Sequence, residues 1–150
     1  MPTILAWFDG CCEPTNPGGH AAYGVVIEVD GVTKLMTGSY VGCGSKISNN
    51  VAEYAGVIRI LEELRGIPGT AIIHGDSKLV INQLGGKWKS KGGLYVPFMK
   101  QAKALLAPIA DRVKFKWIPR EQNEMCDGLS KDVLKGIGVE FRIQPESLSA

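Results

Sequence analysis

Ile4-Leu-Ala-Trp-Phe-Asp9-Gly10 is the stretch that decides the fold of this 150-residue chain. Its apolar run is typical of a buried strand, and the run ends on a carboxylate that is followed by glycine. An ionised acid at the end of a buried strand is costly unless a cation compensates its charge. We therefore expect a metal ion beside Asp9, and three later carboxylates that converge on the same site.

The length and composition of the chain suit one domain with its own core, since 45% of its residues are hydrophobic. No apolar run approaches the ~20 residues that span a bilayer, and the N-terminus resembles no signal peptide. We expect a cytoplasmic monomer with no membrane partner. Its single domain would fill residues 1–150, with a core at about 3–134 and a C-terminal tail at 135–150.

Basic residues are concentrated between Gly85 and Arg120, a segment of net charge +8 in a chain whose remainder carries −6. A basic segment in an otherwise acidic chain suggests a polyanionic partner. A solvated helix face next to a lysine-bearing strand explains the same charges equally well. The four cysteines form no CxxC pair, so we expect free thiols rather than a zinc site.

Apolar periodicity and turn residues divide the chain into alternating elements. Strands are predicted at 3–9, 23–29, 32–41, 71–74 and 112–118, with a possible edge strand at 139–143 and a frayed end at 146–150. Helices are predicted at 50–64, 77–84, 94–106 and 123–134, and a loop at 11–20. This order predicts an α/β fold in which a mixed five-stranded sheet, an antiparallel meander plus two parallel strands, carries helices on both faces.

Each of four acids has an ordinary explanation when it is considered alone. These explanations are a turn at Asp9-Gly10, a capping box between Asn50 and Glu53, a helix cap at Asp76, and a favourable helix dipole at Asp127.

Together the four acids point to one site. Asp9 and Asp76 end neighbouring parallel strands, while Glu53 and Asp127 lie in the first turns of helices at the same edge of the sheet. Carboxylates this close raise one another's pKa values unless cations separate them. A site of hard oxygen ligands without His or Cys favours Mg²⁺, with Mn²⁺ as the alternative.

The motifs around these acids resemble those of type 1 ribonuclease H, in that family's order and over about residues 3–134. They are Phe8-Asp-Gly10, Ser48-Asn-Asn-Val-Ala-Glu-Tyr54, His74-Gly-Asp-Ser77 and Trp117-Ile-Pro-Arg-Glu-Gln-Asn-Glu-Met-Cys-Asp127. The resemblance implies a ribonuclease H-like fold and endonucleolytic hydrolysis of the RNA strand in RNA–DNA hybrids. It also implies that Asp9, Glu53, Asp76 and Asp127 bind two Mg²⁺ ions about 4 Å apart. Cleavage would then leave 5′-phosphate and 3′-hydroxyl ends.

The resemblance extends to residues that contact the hybrid. It implies that Asn16, Asn49 and Asn50, with Cys12, read the ribose 2′-hydroxyl, and that Ser48 grips a phosphate of the DNA strand. Asn16 is also an ordinary turn former, and one of the adjacent asparagines can cap a helix. Trp88 could stack on a sugar while Lys87 and Lys89 meet phosphates, or it could anchor its loop to the core. We assign Trp7 and Trp117 to the core.

The chain departs from many members of that family in two features. The mobile histidine before the last aspartate is missing, Arg120 and Glu121 stand near its place, and His20 and His74 are distant in sequence. The long basic handle is reduced to Lys87–Lys91, and we expect no separate hybrid-binding domain before the core. We expect modest affinity, strong salt dependence and distributive cleavage. The alternatives are a nuclease for double-stranded RNA, an exonuclease on the same sheet, and a non-catalytic nucleic-acid binding module.

Overall fold

The computed structural model describes residues 1–142, which form the predicted mixed five-stranded sheet with helices on both faces. Its strands are β1 (Thr3–Glu13), β2 (Gly18–Val29), β3 (Val32–Gly44), β4 (Thr70–Gly75) and β5 (Val113–Trp117). Its helices are α1 (Asn49–Leu64), α2 (Lys78–Leu84), α3 (Val96–Leu106) and α4 (Glu124–Gly136). The strand order is β3-β2-β1-β4-β5, in which β1 to β3 are antiparallel and β1, β4 and β5 are parallel.

The core lies between the sheet and α1, and β1 supplies its centre. Ile4, Ala6 and Phe8 alternate along β1 and are fully buried against α1, as a strand's period of two requires. On the opposite face α4 packs across β1, β2 and β3. The carboxyl end of β1 is therefore enclosed by a helix on each side.

Two glycines allow these helices to approach the sheet closely. A Cβ at Gly10 would lie 2.6 Å from the backbone nitrogen of Glu53, and one at Gly24 would clash with the backbone oxygen of Cys126. Since real Cβ atoms do not approach backbone atoms this closely, only glycine fits at these positions. The close approach brings the first turns of α1 and α4 to the end of β1.

The β1–β2 hairpin is longer than predicted, because the turn residues occupy only its tip. Cys11, Cys12 and Glu13 continue the ladder opposite Ala22, Ala21 and His20. The predicted loop at 11–20 is therefore wrong at both ends. The helix expected from Leu94 begins at Val96, since Gly92 and Gly93 hold positive φ angles just before it.

The predicted edge strand at 139–143 is wrong for residues 139–142, which form an irregular segment after α4. Phe141 is buried against Ala22 and Leu134. The Arg142 guanidinium donates to Glu13 Oε2 at 3.0 Å and to the Cys12 carbonyl at 2.9 Å. These contacts hold residues 139–142, called the strap below, against the hairpin. Ile143 and the predicted frayed end at 146–150 lie outside the described residues.

Candidate active site

Three carboxylates meet at the carboxyl edge of the parallel strands. Asp9 lies in β1 and Asp76 follows β4 directly, and the register pairs Phe8 with Gly75, the residues just before them. Glu53 reaches the same edge from α1. One oxygen from each of Asp9, Glu53 and Asp76 lies within 4.8 Å of the other two. These three residues are called the acidic cluster below.

Burial and mutual repulsion make the acidic cluster unfavourable as three bare anions. Asp9 is 5% exposed and Glu53 is 6% exposed. Burial, then the charge of Asp76, raises the pKa of Asp9 from 3.8 to about 7. Burial and the charge of Asp9 raise the pKa of Glu53 well above its ordinary value. Burial likewise raises the pKa of Asp76, although Asn123 and the charge of Arg120 oppose the shift.

The acidic cluster fits a divalent cation. Glu53 Oε2 and Asp76 Oδ2 are buried and accept no hydrogen bond from any described residue, a costly state for an anionic oxygen. The donor set consists of carboxylate oxygens alone, which suits a hard ion such as Mg²⁺ or Mn²⁺. A cation among the three groups would satisfy these oxygens and lower the raised pKa values.

Asp127 lines the same groove as Asp9 and Glu53 but stands apart from the acidic cluster. Its Oδ2 accepts a hydrogen bond at 3.0 Å from Lys131 Nζ, one helical turn later in α4. The charge of Asp127 still raises the pKa values of Asp9 and Asp76. The structure thus brings three of the four predicted acids together and places the fourth beside them. Sequence reasoning missed Lys131, although its i,i+4 spacing from Asp127 is a recognisable signal.

Serine side chains perform the capping roles that were the alternative explanations for Glu53 and Asp76. Ser48 Oγ accepts from the Val51 nitrogen at the start of α1, and Ser77 Oγ accepts from the Val80 nitrogen at the start of α2, each at 3.2 Å. Helix capping therefore does not explain the positions of Glu53 and Asp76. Asn49 and Asn50 are likewise not the cap of α1.

The predicted substrate contacts surround the groove next to the acidic cluster. Asn16 Oδ1, at the hairpin tip, accepts from the Asn49 backbone nitrogen at 3.0 Å and ties the hairpin to α1. Asn16, Ser48, Asn49 and Asn50 border one shallow depression. Cys12 differs from these, because it is 2% exposed and its thiol donates to the Thr15 carbonyl.

The basic loop, residues 87–91, lies beside this depression. Lys87, Trp88 and Lys89 are exposed, and they line a groove that also contains Gln83 and Tyr95. Trp88 is 48% exposed and therefore does not anchor the loop in the core. Beneath the loop, Gln83 accepts from the Tyr54 hydroxyl and donates to Tyr95, all three being buried. This polar network fixes the base from which the loop projects.

Two residues near the cluster were not assigned a contact from the sequence. Asn123 is buried and donates from Nδ2 to the Phe8 carbonyl at 2.8 Å, so it ties the start of α4 to the end of β1. In the sequence, an asparagine just before a helix is an ordinary cap residue, and this explanation hides its bond to Phe8. Arg120 is exposed and lines the groove with Asp9, Glu53 and Asp127.

Trp117 is not a core residue, contrary to the prediction. It is 42% exposed at the end of the edge strand β5, and its Nε1 donates to the Asp76 carbonyl at 3.1 Å. Trp7 is partly buried and stacks on His74, which also bonds to the Ala6 carbonyl. The other histidine, His20, pairs with the Tyr40 hydroxyl. Both histidines are therefore engaged within the sheet.

Comparison with known proteins identifies the family. Residues 7–133 match the family model described as Reverse transcriptase-like. The chain is 35% identical over 120 residues to the bifunctional protein Rv2228c of Mycobacterium tuberculosis, covering 79% of this chain and 32% of that protein. The chain thus spans about a third of the length of the curated relatives that it first matches.

Solved structures give the same result over nearly the whole chain. The N-terminal RNase H domain of Rv2228c has a TM-score of 0.79 and 31% identity, covering 91% of this chain and 96% of that domain. RNase H1 of the archaeon Halobacterium salinarum has a TM-score of 0.77 and 30% identity, covering 89% and 98%. LC11-RNase H1 in complex with an RNA/DNA hybrid has a TM-score of 0.78 and 29% identity, covering 90% and 99%. This chain belongs to the type 1 ribonuclease H family.

Proposed function

We propose that this chain is an endoribonuclease that hydrolyses the RNA strand of RNA–DNA hybrids. The observation that carries the proposal is the acidic cluster, in which Asp9, Glu53 and Asp76 gather oxygens within 4.8 Å at the edge of a sheet of this family. A relative of this family, LC11-RNase H1, was solved with an RNA/DNA hybrid, which supports the choice of substrate.

The four acids hold two divalent cations in this proposal. Asp9, Glu53 and Asp76 would supply ligands from the acidic cluster, and Asp127 would join them from α4 in place of its bond to Lys131. Mg²⁺ or Mn²⁺ bound there would supply an activated water and would stabilise charge on the scissile phosphate. The products are a 5′-phosphate and a 3′-hydroxyl.

The hybrid is selected by side chains on either side of the bond between Asn16 and the Asn49 nitrogen, which joins the hairpin to α1. Asn16, Asn49 and Asn50 face the shallow depression, where small polar groups can read a ribose 2′-hydroxyl in a wide minor groove. Cys12 contributes indirectly, because its thiol donates to the Thr15 carbonyl and its own carbonyl accepts from Arg142, and both bonds hold the hairpin in place. Ser48 contacts a phosphate of the DNA strand, although its hydroxyl already accepts from Val51.

The basic loop binds the DNA strand. Lys87 and Lys89 neutralise phosphates, and the exposed Trp88 ring packs on a sugar between them. The net charge of +8 over residues 85–120 places this loop in the most basic part of the sequence.

The test is cleavage of an end-labelled RNA–DNA hybrid, with duplex RNA and duplex DNA of the same sequence beside it, in Mg²⁺ and in chelator. We expect internal cuts only in the RNA strand of the hybrid, and only when Mg²⁺ is present. Asp9→Asn should make no cuts. Cleavage of duplex RNA at an equal rate would favour the double-strand nuclease instead, and trimming from one end would favour the exonuclease. Hybrid binding without any cleavage would leave only a binding module.

A further inference from the structure

Trp117 is an exposed aromatic residue beside the acidic cluster. It is the last residue of β5, so it stands at the sheet edge that carries Asp9 and Asp76. The bond from its Nε1 to the Asp76 carbonyl, at 3.1 Å, fixes the indole ring against the segment that carries this acid. The side chain is nevertheless 42% exposed. A large aromatic ring held in place at the rim of a site and partly open to solvent is suited to contact a ligand.

A lysine ammonium lies over this ring. Lys78 Nζ lies 5.0 Å from the ring centroid, and Lys78 is exposed at the start of α2. Arg120, three residues beyond Trp117, adds a second exposed cation whose charge acts on Asp76. An aromatic face with cations beside it matches the chemistry of a sugar–phosphate backbone, which offers a ring to pack against and an anion on each side.

The strand order places this surface on one particular side of the acidic cluster. The sheet runs β3-β2-β1-β4-β5, so the hairpin that carries Asn16 lies on the β2 side of Asp9 and Trp117 lies on the β5 side of Asp76. An RNA strand whose scissile phosphate sits at the acids therefore has Asn16 on one side and Trp117 on the other.

We propose that Trp117 and Lys78 form a subsite for the RNA strand next to the scissile phosphate, where the indole packs on a ribose and the ammonium contacts the adjacent phosphate. This inference rests on the proposed function and adds a contact on the side of the cluster away from the hairpin. Trp117 is also bonded to Asp76, so two substitutions are needed to separate its roles. Trp117→Phe keeps an aromatic ring without the N–H donor, whereas Trp117→Ala removes both.

Binding in chelator tests the subsite without cleavage. A fluorescein-labelled RNA–DNA hybrid is titrated with wild type, Trp117→Ala, Trp117→Phe and Lys78→Ala, and the anisotropy is followed from low to high salt. We expect Trp117→Ala to raise Kd about fivefold or more and Trp117→Phe to stay within twofold of wild type. Lys78→Ala should lower the slope of log Kd against log salt by about one. Lys114→Ala, an exposed lysine at the other end of β5, is the matched control and should lower this slope by less than Lys78→Ala does.

Steady-state kinetics on the same hybrid distinguish contact from positioning. The subsite predicts that Trp117→Ala raises KM more than it lowers kcat. A fall in kcat at unchanged KM in both Trp117 variants would assign the side chain to holding Asp76 and overturn the subsite. Unchanged Kd in both Trp117→Ala and Lys78→Ala would overturn it as well, and Lys78→Ala, a surface substitution, decides the matter if Trp117→Ala does not fold. Failure of the wild type to cleave any hybrid would instead refute the proposed function.

Discussion

At the scale of single residues, the raised pKa of Asp9 makes the metal-free protein sensitive to pH. The folded chain titrates this acid at about 7, against 3.8 in its ordinary state. From about pH 4 to pH 7 the folded state therefore holds a proton that the unfolded state has lost, so this group lowers the free energy of unfolding as pH rises. Above pH 7 the effect is complete.

The corresponding measurement compares Asp9→Asn with wild type in chelator, by thermal unfolding at pH 4 to 8. We expect the Tm of the variant minus that of wild type to grow between pH 4 and pH 7 and then level off. At pH 7.5, Mg²⁺ should raise the Tm of wild type more than that of the variant, because binding to the folded state alone stabilises it. A difference in Tm that does not vary with pH would show that Asp9 titrates normally.

Arg120 offers a second prediction at this scale. Its positive charge in the groove lowers the pKa of Asp76, and an ionised Asp76 is required to bind a cation. Arg120→Ala should therefore move the acidic limb of the kcat/KM profile to higher pH, while Arg120→Lys should keep it near the wild-type position. An unshifted limb in Arg120→Ala would show that solvent screens this charge, since the side chain is exposed.

At the scale of elements, the acidic cluster depends on how closely α1 approaches β1. Gly10→Ala would place a methyl group 2.6 Å from the Glu53 backbone nitrogen, and the helix must move to admit it. We expect a loss of about 1–3 kcal/mol in the free energy of unfolding and weaker Mg²⁺ binding by calorimetry, since Glu53 moves away from Asp9.

Gly31→Ala is a useful comparison, because its added Cβ meets no atom within 4 Å although its φ is +83°. That variant should lose stability through backbone strain while keeping its affinity for Mg²⁺. If both variants lost the same Mg²⁺ affinity, metal binding would not depend on the position of α1.

At the scale of the whole molecule, the charge distribution predicts that binding depends strongly on salt. In the double variant Lys87→Ala/Lys89→Ala, the slope of log Kd against log salt should fall by about two, because each lost phosphate contact removes about 0.9 from it. Lys100→Ala/Lys103→Ala changes the net charge equally on the exposed side of α3 and should alter the slope less. If the two double variants behave alike, net charge rather than the loop governs affinity.

The sequence predicted the sheet and the meeting of Asp9 and Asp76, because parallel strands that end in acids present them at one edge. It also predicted Glu53 and Asp127 at that edge from the starts of two helices, and the structure brings Glu53 into the cluster while Asp127 stands beside it. It failed for Trp117, since an alternation of apolar residues with lysines does not reveal that β5 lies at the edge of the sheet, where its end stays exposed. It missed Ser48 and Ser77 as the caps of α1 and α2, because asparagine and aspartate next to them are equally good cap residues. The irregular strap, residues 139–142, was predicted as a strand because apolar and polar residues alternate along it.

The bond between Asn123 and Phe8 joins residues 115 positions apart in the chain. A ribosome must therefore release nearly all of this domain before the first strand meets its last helix. A prematurely terminated product that ends before Asn123 has the first three acids but lacks both this tie and Asp127. Such a fragment should therefore not cleave an RNA–DNA hybrid in a gel assay, even when Mg²⁺ is present.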